Sequence, residues 1–437
     1  MSSPILIKNA RCVSSKGIIQ QDVLIKDGKI SKLGQINERE AEKIIDASNL
    51  YLLPGALDPQ VHFRDPGLTH KEDLRTGSMA AAAGGVTSFF DMPNTKPSTI
   101  TIEAMTERKR GASEKCVVNY NFFIGATNSN LDVLNDVENV PGIKIFMGSS
   151  TGDLLVSETS ELDEIFGNGS RLIAVHAEDD GIINAAREIY KTSTDFNHHQ
   201  FVRPPEAALK ATTLAVELSI KYQRRLHILH LTTKDEVRYL EIQKSKAPIS
   251  SEVCPQHIVL SAPYIYQKLG AYAQMNPPIR DMSHSDALWE GLVNGTIDCI
   301  ATDHAPHTHE EKAKPFGSAP SGMPGVETSL PLMLDRANRG LCKLEDVVKW
   351  MCEKPVELYQ VLNKGFIREG YDADLVLVDM QKQKTIQNGK LFTKVNWSPY
   401  DGWKTTGWPV KTMVNGHIVF QDGEVDESVK GQEIQIA

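Results

Sequence analysis

Eight short apolar runs, each followed by a stretch with helical periodicity, recur between residues 55 and 306. This alternation narrows the available folds more than any other feature of the chain. The runs are GALDPQVHF, GVTSFFDMP, VNYNFFIGA, GIKIFMG, LIAVHAE, LHILHLT, ISSEVCPQH and DCIATDHAP. Helix-like stretches such as EDLRTGSMAAAAGG, EAALKATTLAVELSIKY, TKDEVRYLEIQKSK and SDALWEGLVNG lie between them. Strands buried on both faces read as short continuous apolar runs rather than as strict alternation. Eight β-then-α units in sequence predict an α/β fold, a (β/α)8 TIM-type barrel. A doubly wound open sheet is the competing architecture. It predicts a glycine-rich phosphate loop after an early strand, and neither GxGxxG nor GxxxxGK[ST] is present.

The two ends of the chain read differently. ILIKNARCV, QDVLIKDGKISKLG and EKIIDASNLYLLPG alternate apolar and polar residues, as do DADLVLVDM, LFTKVNW and VKTMVNGHIVFQDGEV. Val-Asn-Gly-His-Ile is a hairpin signal. Residues 1–53 and 366–437 are therefore expected to pair as one small β-sandwich domain, with 54–365 forming the barrel and at most the last few residues left unstructured. A chain of 437 residues with 41% hydrophobic content is long enough for both.

Charge and cysteine usage remove other classes. The net charge is −9, and no Lys/Arg stripe dominates any segment, which argues against a nucleic-acid partner. KRGASEK at 109–115 reads as a solvated helix end. The six cysteines are scattered without a CxxC pair, which fits a reducing compartment. No apolar h-region opens the chain, and no apolar run reaches about 18 residues. A cytoplasmic protein without a membrane partner is expected.

In a barrel, reactive groups gather at the C-terminal ends of the strands. Gln60-Val61-His62-Phe63-Arg64 ends the first run, Lys144 sits in the fourth, His176 ends the fifth, His230 the sixth and Asp303 the eighth. Each alone has an ordinary structural explanation. A strand-end histidine is commonly a satisfied core residue, a lysine between isoleucines snorkels from a barrel end, and an aspartate before His-Ala-Pro caps a turn. Their recurrence at matching depth on separate strands points instead to a shared site. Imidazole and carboxylate suit Zn²⁺, with Mn²⁺ or Co²⁺ as substitutes. Such a set holds one or two ions, which activate water and polarise a carbonyl. Lys144 is the odd member, because an ammonium repels a cation. Carbamylation by CO₂ would turn it into a carboxylate able to bridge two ions.

DPQVHFRDPGLTHKEDLRTGSMAAAAGGVTSFFDMPNTKP, GIKIFMGSSTG, AVHAEDD, HILHLTT, QMNPPIR, DCIATDHAPHT and APSGMPGVETSLP follow one another in the chain. In these motifs and their order the chain resembles the dihydroorotases of the amidohydrolase superfamily, over the barrel and both β segments. The resemblance implies reversible interconversion of dihydroorotate and N-carbamoyl-L-aspartate, a step of pyrimidine biosynthesis. It implies that His62, Lys144 and Asp303 surround one zinc ion, and that carbamylated Lys144 bridges to a second held by His176 and His230. Asp303 would also be the general acid/base. Arg64 would pair with the substrate carboxylate, a group that suits a guanidinium fork, with Asn94 and His307 assisting. Asn276 and the Ser321-Gly322 backbone would contact the ring amides. Related allantoinases carry Asn where Arg64 stands, and hydantoinases lack the H-x-R-[DE]-P-G run, so an allantoinase- or hydantoinase-type activity is the weaker expectation. A homodimer and a carbamoyltransferase partner are also implied.

The chain departs from this pattern at the first strand, where the family's His-x-His is Gln60-x-His62. Side chains two residues apart on a strand share a face, so Gln60 is still expected at the metal. Its neutral amide oxygen is a weaker ligand that binds loosely, through water, or not at all. Two possibilities stay open: a working enzyme with one or two ions, or a non-catalytic scaffold beside a carbamoyltransferase. A decayed site would lose several members together, and the others are all present, which favours catalysis. His257 is expected to be structural, His70 and His198-His199 to lie on surface loops, and His304 to point away from Asp303. Asp153 is an alternative bridging carboxylate. Residues 151–158 and 308–320 are candidate lids.

Overall fold

In the computed structural model, which describes residues 3–148 and 154–437, the eight apolar runs are eight strands. They are Ala56–Val61, Val86–Asp91, Asn119–Phe122 (continued as Ile124–Gly125), Ile143–Phe146, Ile173–His176, Leu226–Ile228, Ile249–Val253 and Cys299–Ile300. Each pairs in parallel with the next. The ring closes where Val61 bridges His304, and the His62 amide donates to the His304 carbonyl at 2.7 Å. An open sheet would leave its first and last strands apart, so closure selects the barrel. The strands are apolar throughout because they are buried throughout: every residue of Ala56–Val61, Val86–Asp91 and Ile249–Val253 is buried.

Helices between the strands start where the chain supplies caps. Leu74–Ala83 begins in a reciprocal pair between Asp73 and Thr76, and Lys234–Gln243 in one between Thr233 and Glu236. Among the described residues, no helix is long and apolar enough to cross a membrane. None of the six cysteines is paired.

The two ends of the chain build one nine-stranded sheet. Its seam is the antiparallel pairing of Tyr51–Pro54 with residues 375–378. Ile7, Val23, Ile25 and Ile45 from the start of the chain share one apolar cluster with Leu375, Leu377 and Met413 from its end. The sheet thus folds over its own core as a sandwich. The hairpin between Lys404–Val414 and His417–Gln421 turns on Asn415 and Gly416, with φ of 48° and 81°. Positive φ at both positions is what a tight two-residue hairpin needs and what this dipeptide tolerates.

Buried polar groups tie the sandwich to the barrel. Lys364 pairs with Asp372 and Asp374 at 2.9 and 2.7 Å. Asp374 in turn accepts from Asn119 of the third barrel strand at 2.9 Å. The last residues are held as well: Glu433 bridges Tyr120, and Ile436 bridges Val361.

One strand expectation fails. Residues 391–397, LFTKVNW, form no strand. They cross from the sandwich to the barrel mouth, where the Lys394 amide donates to buried Glu72 and the Trp397 indole donates to the His307 carbonyl at 2.8 Å. The segment satisfies its polar groups on the barrel, so its alternation reflects docking rather than sheet pairing.

Candidate active site

The strands deliver their polar residues to one cavity of about 130 Å³, lined among others by Gln60, His62, Arg64, Asn94, Lys144, His176, His230, Asn276, Asp303, Ser321 and Gly322. His307 does not line it; the ring sits behind Arg64, 3.2 Å from the guanidinium. Three of these side chains leave a left-handed backbone, Arg64 at φ 63°, His230 at 39° and Asp303 at 48°. Such conformations cost about 1–3 kcal/mol each for a residue with a Cβ, and they persist where surrounding structure imposes them. Here they turn the chain over the barrel lip and aim each side chain inward.

The lower half of the site is a histidine pair with a fixed orientation. His176 Nδ1 and His230 Nε2 stand 3.0 Å apart. On its other side, His176 Nε2 lies 3.0 Å from Glu178 Oε2, an ion-pair contact whose angle falls short of a straight hydrogen bond. Burial opposes ionisation of Glu178, yet Arg203 and His176 hold its carboxyl down at about 2. The carboxylate therefore claims the Nε2 proton, and the Nδ1 lone pair faces His230. Burial drives both rings below the usual imidazole range, so they are neutral. Two neutral imidazoles converging with a carboxylate behind one of them is the second-sphere arrangement of a metal-binding histidine.

The upper half converges on Asp303. His62 Nε2 lies 3.0 Å from Asp303 Oδ1, and Gln60 Nε2 donates to the same oxygen at 3.2 Å. His62 Nδ1 is 2.7 Å from Asn94 Oδ1. An amide oxygen only accepts, so Nδ1 carries the proton and the Nε2 lone pair is directed at the Asp303 side. A carboxylate also only accepts, so Gln60 turns its NH₂ to Asp303 and leaves Oε1 buried without a partner.

Lys144 Nζ is likewise without a hydrogen-bond partner, 1% exposed as a residue and 4.5 Å from the Phe146 ring centre. Burial lowers it to about 7, against the pull of Asp303 and Glu252. Near neutral pH a large share of it is therefore free amine. The orphaned Lys144 Nζ and Gln60 Oε1, with the facing His176 Nδ1 and His230 Nε2, His62 Nε2 and the Asp303 carboxylate, form a donor set that fits a divalent cation. A protonated lysine does not fit that set, and a carbamate does.

The remaining histidines are placed by hydrogen bonds or by ion-pair contacts with carboxylates. His257 Nε2 meets the Pro277 carbonyl at 3.1 Å. His304 turns to Glu72 at 3.4 Å, away from Asp303. His70 lies 3.7 Å from Glu311, and His198 bonds Ser193. His199 corrects the surface-loop expectation: it is buried and faces the Met275 carbonyl at 2.9 Å and Asn276 Oδ1 at 3.0 Å. The turn Phe196–His198, capped by Asp195, folds this loop inward, with Phe196 packed edge-on to Phe316. With its oxygen so occupied, Asn276 keeps its NH₂ for the cavity. Asp153 and the first residues of the 151–158 lid lie outside the described residues. The other lid candidate is anchored: Lys312 donates to the carbonyls of Ala271, Gln274 and Pro320.

Sequence reasoning missed Glu178, Lys71 and Lys312. Glu178 had a signal, its position two residues after a strand-end histidine. A larger surface cavity of about 880 Å³ lies elsewhere, beside Lys96 and Arg110. Its buried charges are spent, Arg108 on Asp91 at 2.7 Å and Asp65 on the exposed Lys115 at 2.8 Å.

Residues 51–419 match the amidohydrolase family model. The chain is 34% identical to the dihydroorotase of Methanosarcina acetivorans, covering 96% of this chain and 92% of that protein. It is 36% identical to the dihydroorotase of Pyrococcus abyssi, covering 95% of each. Among solved structures, the L-hydantoinase (dihydropyrimidinase) of Arthrobacter aurescens superposes with a TM-score of 0.95 at 32% identity, over 99% of this chain and 100% of that one.

Proposed function

The chain belongs to the amidohydrolase family, and from that premise we propose that it is a dihydroorotase, opening and closing the ring between dihydroorotate and N-carbamoyl-L-aspartate. The observation that carries this reading is Arg64. The residue is 8% exposed, lines the same cavity as the metal-type donors and leaves Nε without a protein partner. A buried guanidinium with unspent donors is a receptor for a carboxylate, and dihydroorotate carries one beside its cyclic amide.

We assign His62, Lys144 as a carbamate, His176, His230 and Asp303 to the binding of one or two zinc ions. Bound there, a divalent cation supplies Lewis acidity, which brings the pKa of water towards neutrality and polarises a carbonyl. Arg64 holds the substrate carboxylate, with the NH₂ group of Asn94 beside it. Asn276 and the Ser321-Gly322 backbone orient the ring amides. Water adds to the ring carbonyl, the C–N bond breaks, and Asp303 carries the proton that water gives up to the departing nitrogen. The reverse transfer closes the ring. Unpaired cysteines support a cytoplasmic setting. The presence of His62, Lys144, His176, His230 and Asp303 together, with Gln60 the one departure, favours catalysis over a purely structural partnership with a carbamoyltransferase.

The test is turnover of dihydroorotate by the purified chain, with elemental analysis of the same sample. No turnover with or without added Zn²⁺ sinks the proposal. The likeness to a hydantoinase structure favours one second reading, a neutral cyclic amide as substrate. Arg64→Met separates the two. It raises KM for dihydroorotate by about 100-fold, since a charge-assisted pair left unmade in a buried site costs about 2–3 kcal/mol. Unchanged KM, or preferred turnover of dihydrouracil by the native chain, favours the neutral ring.

Gln60 sets a further expectation. Gln60→His restores an imidazole beside His62, and metal content per chain rises over that of the native protein. Equal content in both would mean that Gln60 Oε1 already serves as a full ligand.

A further inference from the structure

Behind Arg64, charged groups surround one neutral ring. His307 is 6% exposed. Its Nδ1 lies 3.2 Å from Lys71 Nζ and 3.3 Å from Glu311 Oε2. Its Nε2 lies 2.9 Å from the Ser321 carbonyl oxygen and 3.2 Å from Arg64. Burial, with Arg64, Lys71 and Lys312 nearby, pushes this imidazole far below its usual range. It therefore carries a single proton, and two tautomers compete for these contacts.

With the proton on Nε2, the ring donates to Ser321, its shortest contact, and accepts from Lys71 at Nδ1. Arg64 then faces an N–H and cannot spend a hydrogen on the ring. With the proton on Nδ1, the ring donates to Glu311 and accepts from Arg64. That arrangement turns an N–H towards the Lys71 ammonium and a lone pair towards the Ser321 carbonyl, both repulsive. Lys71 is anchored for the first arrangement by its ion pair with Glu311 at 2.9 Å. It acts with the Ser321 carbonyl: Lys71 stands next to Nδ1 with only hydrogens to offer, and without it Nδ1 faces the Glu311 carboxylate alone.

We propose that Lys71 holds His307 in the Nε2–H tautomer and so leaves the Arg64 donors free for the carboxylate of an anionic ring, making Lys71 a positioning residue for substrate charge. The proposal rests on the reading of the site as one that opens dihydroorotate. It also explains why a lysine is buried behind a pocket that already has its arginine. Lys71 does not touch the substrate; it keeps Arg64 from being consumed within the protein, and it offsets the charge of Glu311.

The experiment uses the full chain labelled with ¹⁵N-histidine, with His307→Asn to assign the ring. Lys71→Met and Lys71→Arg are compared with the native protein. The native ring is expected to show Nε2 protonated and Nδ1 bare. In Lys71→Met the proton moves to Nδ1, and KM for dihydroorotate rises about tenfold, with a much smaller change in kcat. Lys71→Arg restores both. A ring unchanged in Lys71→Met overturns the proposal, and so does a shifted ring with native KM. If the native chain does not turn over dihydroorotate at all, the functional reading fails, and the ring nitrogens still decide the role of Lys71.

Discussion

Asp303→Asn lowers the rate of dihydroorotate ring opening by about 10³-fold, within the range for loss of a positioned acid–base group. The substitution preserves shape. Its amide oxygen still accepts from Gln60 Nε2, which lies 3.2 Å from Asp303 Oδ1 in the native site. What disappears is the ability to take a proton from water and return it to nitrogen, because an amide holds its hydrogens. The kinetics belong beside a thermal melt and a metal analysis of the same variant. A native melt with lost turnover assigns the defect to chemistry. Near-normal turnover removes Asp303 from the proton path and leaves the proposed reaction without its base.

Lys144→Met removes the other indispensable group. Methionine occupies nearly the same volume in a site that is 1% exposed, so the fold survives. A thioether cannot become a carbamate, and the bridging carboxylate is lost with the ion it holds. Losing several kcal/mol of carbonyl polarisation amounts to about 10³-fold in rate. The native protein offers a check that requires no mutation. Burial brings Lys144 to about 7, so the free amine that attacks CO₂ is well populated at neutral pH. Metal reloading of the stripped protein is accordingly faster with bicarbonate than in CO₂-free buffer. Full metal content in Lys144→Met would show that the amine is structural.

Much of this molecule is written locally. Eight runs such as GIKIFMG and LIAVHAE give eight barrel strands because a strand buried on both faces needs a continuous apolar run. His62, Lys144, His176, His230 and Asp303 stand out because polar residues at the ends of such runs break that rule. The contacts that give those residues their state are not local. Asn94 bonds His62 across 32 positions, and Gln60 reaches Asp303 across 243. His199 is drawn inward by a loop whose periodicity is featureless, and it fixes Asn276 across 77. LFTKVNW alternates like a strand and yet docks on the barrel, since alternation records only that one face is buried. Lys71 and Lys312 look like surface lysines by composition. Only the folded chain surrounds them with carbonyls, a carboxylate and a neutral ring.

The seam of the sandwich dictates the order in which the molecule can be completed. Strand Tyr51–Pro54 pairs with Ile5–Ser14 on one side, and its other edge finds a partner only at residues 375–378. During translation the opening strands emerge from the ribosome with that edge bare, and it stays bare while the whole barrel is made. Contacts this distant in sequence close slowly, and an unpaired edge invites pairing with another chain. Proline at 54, with no N–H to offer, blunts that edge during the wait.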